Sequence, residues 1–139
     1  ENYLTIKKPN KISIQNLVKG LDIFKLIGKA DLSQSLIIQN KLVLGIEAAE
    51  GTDELIKRCY HYKKKGDKGV LIKLSKYNQN TKLDLPVVGL KTVQLLKKYD
   101  YEGIFLEKNH CIILEKTEVV NYCNKYSLFI SGINKVWII

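Results

Sequence analysis

Leu42-Val43-Leu44-Gly45-Ile46-Glu47-Ala48-Ala49-Glu50-Gly51-Thr52-Asp53 is the point where a run of strand-forming residues gives way to a helix. Residues 42–47 are β-rich. Gly51-Thr52 opens a segment to about Lys65 in which Leu55, Ile56, Cys59 and Tyr62 share one helical face. A strand feeding a helix is the building unit of α/β folds, and open α/β sheets place ligands at such junctions. Glu47, Glu50, Asp53 and Glu54 crowd this junction in a chain whose net charge is +9, so the acids need a local cause.

Upstream, residues 35–39 form a second β-rich run, and Asn40-Lys41 between the two suits a tight hairpin turn. Before it, Ile14, Leu17, Val18, Leu21, Phe24 and Ile27 recur at helical spacing, with Asn10 or Ser13 as the cap and Gly28 as the stop. Residues 1–9 read as extended. Downstream, the apolar run 70–74 resembles strands covered on both faces, and a polar loop, 77–82, follows it. Pro86 forces Leu85 out of the helical region, so residues 83–88 are extended before a helix over about 90–99. Residues 103–107 and 111–114, joined at Lys108-Asn109, read as a second hairpin. A last helix over about 117–126, with Thr117 as cap, leads to a strand at 128–130. The fold class expected is α/β: a single domain, 1–139, with a mixed, largely parallel sheet flanked by helices and two hairpins.

Composition bounds what this domain does. Its 139 residues, 45% of them hydrophobic, suffice for one buried core. No stretch reaches the roughly 18–20 apolar residues of a membrane span, which points to a cytoplasmic protein. Cys59, Cys111 and Cys123 lack metal-ligand spacing and read as buried thiols. Arg58 is the lone arginine among 23 basic residues, so the guanidinium fork that reads bases is nearly missing, and nucleic acid is not expected as a partner. His61 and His110 have no metal-ligand partner at recognised spacing.

Two segments carry candidate chemistry. At the acidic junction, Gly51 permits a sharp turn, Thr52 can cap the helix through its hydroxyl, and Glu50, Asp53 and Glu54 complement the helix dipole. Asp53/Lys57 and Glu54/Arg58 are spaced for i,i+4 pairing. The second segment holds Lys73, Lys76, Gln79, Asn80, Lys82 and Asp84, a phosphate-compatible set in which the backbone beside Pro86 presents Asp84 rigidly. Carboxylates repel phosphate unless a divalent cation lies between them, so both segments acting together imply magnesium or manganese.

The sequences Glu47-Ala48-Ala49-Glu50-Gly51-Thr52-Asp53, Gly69-Val70-Leu71-Ile72-Lys73, Asp84-Leu85-Pro86 with Gly89, Gly103-Ile104 and Leu128-Phe129-Ile130-Ser131-Gly132 occur in this order. Together they resemble the C-terminal domain of the UDP-2,3-diacylglucosamine pyrophosphatase family of lipid A biosynthesis, the family unrelated to calcineurin-like phosphoesterases. The resemblance implies a two-domain enzyme whose N-terminal domain precedes this chain, with residues 1–9 as an interdomain segment. It implies magnesium-dependent hydrolysis of UDP-2,3-diacylglucosamine to UMP and 2,3-diacylglucosamine 1-phosphate, with peripheral contact at the cytoplasmic face of the inner membrane. By the same resemblance Asp84 is the essential acid. Glu47, Glu50, Thr52 and Asp53 fall on the family's acidic stretch and Lys73 on the lysine of the preceding strand. Taken with the phosphate-compatible groups above, the expected metal ligands are Glu47, Glu50 and Asp53, and the expected substrate-binding residues are Gly51, Thr52, Lys73, Lys76 and Gln79. Gln79-Asn80 stands where the family carries Gln-Asp, so a second acid is missing. The rival readings are a non-catalytic nucleotide-sugar or anion-binding module, and a homodimerisation domain using sheet edges or the apolar tail 136–139.

Overall fold

A computed structural model describes residues 3–27, 35–75 and 85–134. The elements in chain order are α1 (Lys11–Ile27), β1 (Ser35–Gln39), β2 (Leu42–Ile46), α2 (Thr52–Tyr60), β3 (Val70–Lys73), β4 (Val87–Val88), α3 (Leu90–Lys98), β5 (Gly103–Glu107), β6 (Ile112–Ile113), α4 (Lys116–Lys125) and β7 (Phe129–Ile133). The main sheet has the order β2-β1-β3-β5-β7. β3, β5 and β7 pair in parallel, whereas β1 is antiparallel to both β2 and β3. Only β1 therefore runs against the other four strands, and the expected mixed, largely parallel α/β sheet is what forms.

Alternating side chains split the core into two layers. Leu36, Ile38, Val70, Ile72, Phe105 and Phe129 face α1, where Leu17, Leu21 and Phe24 cover them. Ile37, Leu71, Ile104, Leu106 and Ile130 face α2, α3 and α4, which contribute Leu55, Ile56, Cys59, Val93, Leu96, Val119 and Cys123. Covering on both faces explains why the central strands read as continuous apolar runs.

Local signals account for the boundaries. The Asn10 side chain accepts the Ser13 amide at 2.8 Å and starts α1. Asn40 and Lys41 both have positive φ, 54° and 59°, the twist a two-residue hairpin turn between β1 and β2 requires. Residues 3–5 run along the outer side of β7: Tyr3 bridges Ser131, and the Leu4 amide donates to the Ile130 carbonyl at 3.0 Å.

The second hairpin does not form. β6 pairs in parallel with β4, with Val87 opposite Ile112 and Val88 opposite Ile113. The reason is topological, since β3 and β7 occupy both edges of β5 and leave no ladder for residues 111–114. α2 ends at Tyr60, short of Lys65, and α4 begins at Lys116 behind Glu115 in left-handed conformation, so Thr117 is not its cap. The tail at 136–139, expected as a dimer contact, lies outside the described residues.

Candidate active site

The parallel strands end together at one edge of the sheet, and the candidate chemistry collects there. Lys73 closes β3 on the same side as Leu71, facing α2 and α3 where the apolar core gives way to a cleft. Glu50, Gly51, Thr52, Asp53, Glu54, Lys73, Val87 and Thr92 line that cleft, about 330 Å³ in volume. The two segments singled out in the sequence therefore meet in part: the turn into α2 and Lys73 share one opening. Asp84, Lys76 and Gln79 lie outside the described residues. Asp84 stands three positions before Val87 in the chain.

Lys73 is only 6% exposed. Its ammonium donates to the Val87 carbonyl at 2.9 Å, which anchors the cation to β4. Burial pulls its pKa below the ordinary lysine value, against the opposing fields of Glu47, Cys111 and Asp53. A desolvated ammonium held near two carboxylates is poised to meet an anionic ligand without displacing a full hydration shell.

The acids are ordered individually. Glu47 accepts a hydrogen bond from the Thr52 hydroxyl, and Thr52 in turn lies 3.1 Å from the Ser35 hydroxyl. Thr52 is thus not the helix cap. Gly51 is, with φ 87° and no side-chain hydrogen bond, because the Thr52 hydroxyl is spent on the sheet edge. No side chain caps α2, and its first residues, Thr52, Asp53 and Glu54, line the cleft, so a helix N-terminus, the end that favours anions, borders it.

Asp53 accepts from the Thr92 hydroxyl at 2.9 Å, tying α2 to α3. Glu50 turns the other way and accepts from the Ala48 amide and from Arg58, both at 3.1 Å. The Ala48 amide, and then the Arg58 guanidinium, hold its carboxyl below the usual carboxylate range. The expected i,i+4 pairs are consequently absent: Arg58 serves Glu50, Lys57 reaches Glu54 at i,i+3, and Asp53 goes to Thr92.

Among the described residues, no three His, Cys, Asp or Glu side chains come together as a metal cluster. Asp53 and Glu50 line the cleft and Glu47 stands one hydrogen bond behind Thr52. Asp53 and Glu47 each use one carboxylate oxygen on a threonine and keep the other. That smaller donor set fits Mg²⁺, which is commonly held by one or two carboxylates plus substrate phosphate oxygens.

Thr92, Ser35 and the Val87 carbonyl were not foreseen. Thr92 had a readable signal, being a hydroxyl on the apolar face of a helix, next to Val93 and Leu96, where a buried donor must find a partner. The Val87 contact had none, because a backbone carbonyl carries no sequence label. Of the remaining candidates, Cys59 and Cys123 are buried and Cys111 is half-buried. His110 Nδ1 lies 3.6 Å from Glu107 Oε2, away from the lining of the cleft.

A family model described as the LpxI C-terminal domain matches residues 1–131. The chain belongs to this family. A relative, the UDP-2,3-diacylglucosamine pyrophosphatase LpxI of Caulobacter vibrioides (strain ATCC 19089 / CIP 103742 / CB 15), is 30% identical over 122 residues. The match covers 84% of this chain and 44% of the relative, so the chain spans less than half of that relative's length. In the LpxI family context, the resemblance read from residues 47–53 and 84–89 is established at the level of the domain.

Proposed function

We propose that this domain is the C-terminal part of an enzyme that hydrolyses the pyrophosphate of UDP-2,3-diacylglucosamine, giving UMP and 2,3-diacylglucosamine 1-phosphate. One observation carries the reading: buried Lys73 and the uncapped start of α2 line one polar cleft at the carboxyl ends of parallel strands. Such a cleft suits a phosphate group, and the relative's name supplies the substrate class.

In this reading the Lys73 ammonium and the first-turn amides of α2 orient the pyrophosphate and take up charge that develops on its oxygens. Thr52 and Thr92 fix the carboxylates of Glu47 and Asp53 by the hydrogen bonds described above, so neither acid swings into the phosphate. Magnesium held by Asp53 and Glu47 would neutralise phosphate charge. Asp84 is assigned the essential acid, and Lys76 and Gln79 extend the substrate contacts. Glu50 is assigned to shaping the turn through Arg58 as well as to the metal side of the cleft.

The test is UMP release by the complete parent protein from UDP-2,3-diacylglucosamine with and without magnesium. Asp84→Ala is expected to abolish release while leaving the protein folded. Full turnover by that variant, or turnover indifferent to magnesium and to chelator, sinks the reading.

A further inference from the structure

Two side chains of opposite charge are buried on neighbouring strands at the carboxyl edge of the sheet, and neither takes the other as its partner. Lys73 ends β3 at 6% exposed, and Glu107 ends β5 at 2%. The parallel ladder sets Lys73 opposite Leu106, one residue short of Glu107. The Lys73 ammonium donates to the Val87 carbonyl at 2.9 Å, whereas Glu107 Oε2 accepts the Ser75 hydroxyl. Among the described residues, the basic group within ion-pair distance of Glu107 is the His110 imidazole, at 3.6 Å, and its Nδ1 also lies 3.1 Å from the Lys108 carbonyl. A carboxylate this deeply buried is costly unless it is hydrogen-bonded, and the Ser75 hydroxyl supplies that bond.

The two contacts grip one piece of chain. Ser75 leads into residues 76–84 and Val87 follows them, so Lys76, Gln79 and Asp84, assigned above to substrate contacts and to the essential acid, lie between the two. Lys73 fastens the returning end of this segment, and Glu107 its outgoing end. Glu107 does so from outside the cleft: it lines a separate cavity with Leu4, Leu106, Cys111 and Ile113 and has no part in the cleft lining. A side chain so placed acts on the cleft through the backbone it holds. Fixing both ends of a short segment restricts where its middle can stand, and a displacement of about 1 Å in a reacting group costs up to about 100-fold in rate. We propose that Glu107 is a positioning residue of the hydrolase, which through Ser75 sets the placement of Asp84. The inference rests on the hydrolase reading above and adds to it a carboxylate that stands outside the cleft.

The experiment measures kcat and KM for UMP release from UDP-2,3-diacylglucosamine by the complete parent protein and four variants. These are Ser75→Ala, Ser75→Thr, Glu107→Met and the Ser75→Ala/Glu107→Met pair, each shown by urea unfolding to be folded under assay conditions. Ser75→Ala is expected to lower kcat by about 10–100-fold with KM within about threefold, because the Lys73 contact with Val87 is untouched. Ser75→Thr, which keeps the hydroxyl, restores most of the lost kcat. The pair is expected to be no slower than its slower single variant, the non-additivity of two groups that act through one bond. Turnover by Ser75→Ala within about twofold of wild type overturns the proposal. So does a loss confined to KM, a threonine that restores nothing, or losses that multiply in the pair. A wild type that releases no UMP removes the hydrolase reading and this role with it, whereas an active wild type indifferent to Ser75→Ala removes this role alone.

Discussion

The Lys73 ammonium and the Val87 carbonyl are joined by a 2.9 Å hydrogen bond, and this contact builds the cation into the cleft rather than leaving it on a free side chain. β3 and β4 are separated by a long stretch of chain and belong to different sheets, so the bond also fixes the small ladder against the large sheet. If Lys73 takes up charge in the transition state, Lys73→Met, which keeps length and removes charge, lowers kcat by about 10²–10³-fold, the cost of losing one preorganised donor. Near-UV circular dichroism of the variant is expected to match wild type. Turnover within a few-fold of wild type excludes the role.

The same burial sets a pH dependence. Because desolvation lowers the folded-state pKa of Lys73 below the ordinary value of 10.5, the folded protein releases this proton before the unfolded chain does. Between those two values the unfolded chain binds more protons, so this residue's contribution to stability rises with pH there. Substrate affinity moves the opposite way and is lost as the ammonium is neutralised. An alkaline limb in kcat/KM below pH 10.5, missing from the residual activity of Lys73→Met, is the expected signature in a pH–rate profile.

Thr52 links the sheet edge to the acid behind the cleft through its bonds with Ser35 and Glu47. Thr52→Val keeps shape and removes both bonds, at a cost of about 1–3 kcal/mol in urea unfolding. Activity is expected to fall further than stability explains, because Glu47 loses the hydroxyl that orients it. Thr52→Ser restores both measurements in large part. A valine variant with unaltered unfolding and turnover would mean the hydroxyl is incidental.

Gly103 opens β5 directly against Phe129 of β7. A Cβ there would stand 2.4 Å from the Phe129 carbonyl oxygen and 2.6 Å from its ring, and the carbonyl cannot retreat without breaking the ladder. Gly103→Ala is therefore expected to destabilise the domain by about 1–3 kcal/mol, typical of overpacking. Chemical denaturation checks it, and an alanine variant as stable as wild type would show that the two strands have slack.

The three thiols should be unreactive in the native state for one shared reason. Burial pushes Cys59 and Cys111 up to about 11 and Cys123 up to about 12, so little thiolate exists near neutrality. Iodoacetamide at pH 8 is expected to label the native domain slowly, Cys111 first because it is only half-buried, and all three positions rapidly in denaturant. Mass spectrometry reads the sites. Rapid native labelling of Cys123 would contradict its burial on the inner face of α4.

The sequence by itself determined the α/β class, the β1–β2 hairpin and a helix start at Asn10 or Ser13, because each is written in local pattern; the structure chose Asn10. Alternation, period and turn residues act over a few positions, and no distant partner had to be known. It also marked the turn at Gly51 and the strand-ending Lys73 as unusual, since acids against a basic background and a lysine in an apolar run are visible locally. Only the tertiary structure decided what those residues touch. Residues 111–114 read as the return strand of a hairpin, yet β3 and β7 had already taken both edges of β5 and left β6 to β4. Thr52 read as a cap until the sheet edge placed Ser35 and Glu47 within its reach, and Asp53 read as half of an ion pair until α3 brought Thr92 alongside. The physical reason is common to these cases: hydrogen-bonding groups are promiscuous at the level of sequence, and burial in a specific packing selects which partner each one keeps.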